Sequence, residues 1–139
     1  MKAFQVSTMI RATPSAIWAL LTDAPGYLAW NTTVDKVEGR IALGEKVTVH
    51  PRISSGRAFP VKVTEFVPEQ KMVWTGGMPL GLFKGERTFL LTPKGDGLVE
   101  FSMREVFSGL MSPLIERSIP NLQPAFNEFG AALKARAES

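Results

Sequence analysis

Two residues stand out as chemically capable against apolar surroundings. In Phe83–Leu91, strand alternation puts Phe83, Gly85, Arg87, Phe89 and Leu91 on one face and Lys84, Glu86 and Thr88 on the other. In Leu98–Phe107 the apolar set is Val99, Phe101, Met103, Glu105 and Phe107, against Glu100, Ser102 and Arg104. Each face therefore carries one charge, Arg87 on the first and Glu105 on the second. If Thr92 pairs with Leu98 across Pro93–Gly97, Arg87 falls opposite Met103 and Glu105 opposite Gly85. The two charges are then diagonal neighbours, roughly 7–8 Å apart at the backbone. A lone charge turned into an apolar interior is costly, so a pair is expected.

The chemistry open to such a pair is narrow. Arginine is no general base near neutral pH. Glu105 is a weak candidate for acid/base catalysis, and an adjacent guanidinium favours its ionised form, so the two argue against each other in that role. The pair also admits a purely structural reading, as a tie between two strands. Other catalytic devices are missing. The chain has no cysteine and one histidine, His50, which alternates with Val47 and Val49 and is expected to face outward. No metal site is expected, because the carboxylates do not cluster. Gly76-Gly77 runs into Met78-Pro79 and opens no helix, so it is not a phosphate loop, and no cofactor is expected. No nucleophile motif of the Ser-x-x-Lys or Gly-x-Ser-x-Gly kind is present.

The elements that position these residues follow in chain order. Residues 3–11 read as a strand rich in β-formers, the alternation beginning already in Met1–Val6. Thr13 and Pro14 supply a cap and a first helical position, with Ile17, Trp18, Leu20 and Leu21 as the buried side of a short helix that Asp23–Gly26 stops. Tyr27, Leu28 and Trp30 form an aromatic cluster on a second helical turn ending at Asn31. Strands are expected at 34–43, 45–53, 58–67, 71–75, 82–92 and 98–107, with turns at Gly44, 54–57, 68–70 and 93–97. Gly76–Gly81 is expected as a flexible loop exposing Met78 and Leu80, suited to an entrance lid. Connections this short make the strands antiparallel neighbours.

The last thirty residues repeat Ile115, Ile119, Leu122, Phe126, Phe129 and Leu133 at helical spacing. Pro120 removes a backbone bond and disfavours helix at Ile119. A short turn near 113–119 and a main helix at about 121–135 are expected, with Leu122, Phe126 and Phe129 toward the sheet and Ile115, Ser118 and Ile119 near a cavity mouth.

Several stretches together resemble the SRPBCC (START/Bet v1-like) superfamily, its polyketide cyclase/dehydrase-like branch above all. They are Ala12-Thr13-Pro14-Ser15-Ala16-Ile17-Trp18, Val67-Pro68, Phe83–Phe89 and Glu105–Leu110. The resemblance covers essentially the whole chain. Together with the element order it implies one α+β helix-grip domain over 1–139: a curved antiparallel sheet of about seven strands around a long C-terminal helix, with two short helices after the first strand. It also implies an apolar cavity between sheet and helix. The wall and mouth candidates are Trp30, Phe59, Trp74 and Met78. The hairpin adds Phe83, Arg87, Phe89, Phe101, Met103 and Glu105, and the terminal segment adds Ile115, Ser118, Leu122 and Phe126.

Such a cavity suits a small hydrophobic ligand (a lipid, isoprenoid or polyketide-like aromatic), and alternatively cyclase or dehydratase chemistry governed by cavity shape and Glu105. The formal charge of +3 comes from Lys and Arg scattered among Asp and Glu without a basic run, so no nucleic-acid surface is expected. No apolar run approaches the ~20 residues of a membrane span. The absence of cysteine favours a reducing, cytoplasmic compartment.

Overall fold

The computed structural model of the protein describes residues 2–54 and 56–139; Met1, at the head of the N-terminal stretch, and Ser55, in the expected turn at 54–57, lie outside the described residues. β1 (Lys2–Ile10) leads into α1 (Pro14–Thr22). The Thr13 hydroxyl accepts from the amide of Ala16 at 3.1 Å, capping one of the donors that a helix start leaves open. α1 buries Ile17, Trp18 and Leu21, whereas Leu20 is only half-buried. α2 (Tyr27–Trp30) is a single turn ended by Asn31, with Tyr27 and Trp30 inside and Leu28 exposed.

Six more strands follow: β2 (Val34–Gly39), β3 (Lys46–Pro51), β4 (Phe59–Val67), β5 (Lys71–Met78), β6 (Phe83–Gly95) and β7 (Leu98–Ser108). Together with β1 they form one seven-stranded antiparallel sheet in the order β1-β7-β6-β5-β4-β3-β2. It curls around the terminal segment, the α+β helix-grip arrangement. Two strands are shorter than the sequence pattern suggests. β2 stops at Gly39, whose φ of +108° turns the chain and sends Ile41 into the core. β3 stops at Pro51, where a 3₁₀ turn at Arg52–Ser54 takes over.

Two corrections change the site. The expected lid does not exist: Gly76, Gly77 and Met78 belong to β5 and pair with Gly85, Lys84 and Phe83, leaving only 79–82 as the connection. The hairpin register also differs. β6 runs through Pro93 to Gly95, and the chain reverses at Asp96-Gly97, both with positive φ as a type I′ turn demands. An irregularity between Pro93 and Gly95 then seats Gly95, not Thr92, opposite Leu98. Arg87 consequently faces Glu105 rather than Met103, and Gly85 faces Phe107 rather than Glu105. A two-residue shift leaves every side chain on its expected face.

The terminal segment breaks at Pro120. α3 (Ser112–Ile115) and a 3₁₀ turn (Glu116–Ser118) give way to extended backbone at Ile119, ψ 123°, before α4 (Gln123–Glu138) begins. α4 buries Phe126, Phe129, Gly130 and Leu133 against the sheet. Gly130 lets it come close, since a Cβ there would stand 3.0 Å from Val6. Polar side chains of α4 also cap the open edge of β1. Gln123 Nε2 donates to the Gln5 carbonyl at 2.7 Å, and Lys134 Nζ to the Met9 carbonyl at 2.8 Å. Glu138 Oε2 accepts from the Arg11 amide at 2.8 Å. An edge strand so occupied is a poor template for foreign strands.

Candidate functional site

Between the curled sheet and the terminal segment lies a cavity of about 500 Å³. That is within the usual range for small-molecule sites. It exists because the sheet is filled unevenly. Near the β6–β7 turn the interior is solid: Phe89 and Phe101 are fully buried and pack on Phe129, with ring centroids 6.3 and 6.0 Å away. Toward the other end the inward positions of β5 and β6 become Gly76 and Gly85, which pair with each other. A Cβ on Gly85 would meet the Phe107 ring at 3.1 Å, and one on Gly76 would meet Val61 at 3.0 Å. Both glycines line the cavity and add no side chain of their own to it.

The rung beside them carries the polar groups. Trp74, Arg87 and Glu105 are consecutive partners across β5, β6 and β7, with Phe4 next on β1. Arg87 donates from Nε and from Nη2 to one carboxylate oxygen, Oε1 of Glu105, at 2.7 and 2.6 Å. From the helix side the Phe126 ring covers the guanidinium, whose carbon is 5.0 Å from the ring centroid. The side chains of Arg87 and Glu105 are only 24% and 15% exposed, so the pair belongs to the cavity wall and not to the outer surface. Glu105 Oε2 points toward the bare Gly85, 3.6 Å from where a Cβ would stand. No donor among the described residues bonds that oxygen.

Beneath the wall, Tyr27 stacks on Trp74 with centroids 6.4 Å apart. Burial holds its phenol far above the usual range, against a smaller downward pull from Arg87. It stays protonated and donates to the Leu21 carbonyl at 2.5 Å, so it has no proton chemistry to offer the cavity. Trp30 Nε1, Asn31 Nδ2 and Trp74 Nε1 are buried donors without a partner among the described residues. Each such group costs about 1–3 kcal/mol.

Of the residues expected at the site, Phe59, Trp74, Phe83, Arg87, Met103 and Glu105 lie on the cavity from the sheet side. Ile115, Ser118, Leu122 and Phe126 close it from the helix side, at and after the Pro120 break. Four do not border it. Trp30, Phe89 and Phe101 belong to the solid part of the core, because Phe129 fills the space above them. Met78 ends β5 at the surface, 44% exposed. Ile119, expected near the mouth, lines the cavity, and so do Val49, Val61 and Phe107, which had not been singled out. Phe107 was legible, since it shares the alternating face of Met103 and Glu105; Val49 and Val61 became wall only through the curl of the sheet. His50 faces outward and bonds the exposed Glu38 at 2.6 Å. Among the described residues no group of His, Asp and Glu is arranged to hold a metal ion, and no helix is long and apolar enough to cross a membrane.

The sequence matches, over residues 1–138, the profile of a family described as polyketide cyclase / dehydrase and lipid transport. No curated protein matches it. Solved structures share the fold at low identity. A hypothetical protein from Helicobacter pylori is 13% identical with a TM-score of 0.79, over 98% of this chain and 88% of that one. A START superfamily protein from Mycobacterium smegmatis is 14% identical with a TM-score of 0.71, over 98% and 97%. The di-domain ARO/CYC BexL from the BE-7585A biosynthetic pathway is 10% identical with a TM-score of 0.72, over 97% of this chain and 46% of that one.

Proposed function

The chain belongs to the polyketide cyclase/dehydrase and lipid transport family, and on that premise we propose that it binds a small hydrophobic molecule between the sheet and the C-terminal helix. The class is a lipid, an isoprenoid or a polyketide-like aromatic, and the whole chain serves as one cytoplasmic binding domain. The observation that carries this reading is the mainly apolar cavity of about 500 Å³ with the Arg87–Glu105 ion pair set into its wall. Trp74, Met103, Leu122 and Phe126 supply apolar contact, while Arg87 and Glu105 mark the polar end. Phe59, Phe83, Ile115 and Ser118 complete the enclosure.

A second reading, a cyclase or dehydratase, draws on the open oxygen of Glu105, the one carboxylate on the cavity among the described residues. Arg87 weakens it, since two bonds from the guanidinium commit the same carboxylate to an ion pair in the wall. Binding requires no proton transfer and agrees better with the site.

Native mass spectrometry of protein purified without detergent tests the proposal. The expected result is a mass increment that disappears on denaturation and extracts as an apolar molecule. Bare protein that also takes up no added naphthalene in titration calorimetry would rule the reading out.

A further inference from the structure

We propose that the ligand's polar end is uncharged and donates a hydrogen bond, as an alcohol or phenol does, to Oε2 of Glu105. This rests on the binding role argued above and narrows it, because lipids and aromatics with carboxylate, phosphate or ammonium ends are then disfavoured.

The argument begins with charge. Arg87 and Glu105 cancel, so the deep wall presents a strong local dipole with no net charge. A carboxylate or phosphate seated there lies beside the negative Glu105, and its attraction to Arg87 is already opposed. An ammonium meets the mirror situation, drawn to Glu105 and repelled by Arg87. In each case an ion leaves water without an unmatched partner, the costly arrangement in an apolar enclosure. The remaining cation on the lining, Arg57, is exposed and rests over the Phe59 ring at 6.0 Å, where solvent screens it.

The second step is hydrogen-bond supply. Both bonds from Arg87 fall on Oε1, and Oε2 has no protein donor among the described residues. A carboxylate oxygen in an apolar wall gains most from a ligand that brings a donor. Ketones, ethers and esters bring none; a hydroxyl does. The place for it is the cavity itself, which Glu105 and the neighbouring Gly85 both line. The recognition element is thus the open acceptor of a charge-balanced pair, with the apolar body of the ligand against Leu122 and Phe126.

The experiment uses four probes with one ring system: naphthalene, 1-naphthol, 1-naphthoate and 1-naphthylmethylammonium. Each is titrated calorimetrically into the full chain at neutral pH. 1-Naphthol is expected to bind about tenfold more tightly than naphthalene, and more tightly than either ion by at least as much. In Glu105→Gln, Arg87 loses its counter-charge, and 1-naphthoate is expected to overtake 1-naphthol. Either ion binding the unaltered protein as tightly as 1-naphthol overturns the proposal. So does equal binding of naphthalene and 1-naphthol, which leaves hydrophobic binding itself intact. If no probe binds, the binding role falls and this inference with it. An unchanged order in a folded Glu105→Gln protein would show that Glu105 is not the acceptor. Should that variant not fold, the series on the unaltered protein decides alone.

Discussion

Arg87 and Glu105 stand directly opposite each other across β6 and β7, and the guanidinium reaches a single carboxylate oxygen twice while Phe126 covers it from α4. The pair thus joins two strands and the helix through one set of contacts. Its partial exposure to the cavity makes it less costly than a fully buried pair, and less valuable as a tie.

Removing one partner and removing both should therefore differ. Arg87→Met leaves Glu105 alone in an apolar wall and should lower stability by about 1–2 kcal/mol, less than the loss typical of a fully buried pair. The double change Arg87→Met with Glu105→Leu should recover most of that loss. Urea denaturation of the two single variants and the double variant checks this as a cycle. Additive losses would show that the two side chains do not depend on each other.

The break at Pro120 gives a second prediction. Proline lowers the entropy of the unfolded chain, so Pro120→Ala should cost about 0.4–1 kcal/mol through the unfolded state. Ile119 is already extended and the Asn121 side chain accepts from the Gln123 amide at 3.1 Å, so helix content should hardly change. Amide exchange at 116–122 should quicken relative to α4, because the cavity's helix-side closure has lost its stiffest residue. A single continuous helix, seen as slowed exchange through 119–121, would contradict the break as described.

Acid should loosen the clasp between α4 and β1. The backbone N–H of Arg11, and after it Lys134, hold the Glu138 carboxyl below its ordinary value. A group depressed in the folded state contributes stability above its unfolded pKa, about 4.3, and loses it as pH falls through the lower folded value. Glu138→Gln should then be less stable than the unaltered protein at neutral pH. The difference should shrink below about pH 4. Thermal melts of both proteins across that range check the sign, and a gap that widens in acid would refute it.

Much of the fold is legible in the residues. Thr13-Pro14 announces α1, and Pro120 announces the break before α4, because both act through local backbone chemistry. The faces of β6 and β7 are equally plain from alternation. The register between them is not. It depends on the tight Asp96-Gly97 reversal and the irregularity at Pro93–Gly95, and several turns are compatible with the same five residues. Gly76-Gly77 misleads for a related reason: glycines that suggest a mobile loop serve instead as strand residues, paired with Gly85 and Lys84 where neighbouring chain packs too close for a side chain. The cavity's extent is the least legible part. Whether Phe89 and Phe101 border empty space or solid core is decided by Phe129, more than twenty-five residues farther along the chain.

The strand order has a consequence for biosynthesis. β1 leaves the ribosome before the other six strands of the sheet, yet its sheet partner is β7 and its outer edge is covered by α4. Phe4, Val6 and Ile10 thus have nothing native to join until nearly the whole sheet has been made. Closing so long a loop must precede the contacts that reward it, which places this chain among slow folders. Its period of greatest vulnerability to aggregation is accordingly the interval of translation between β1 and β7.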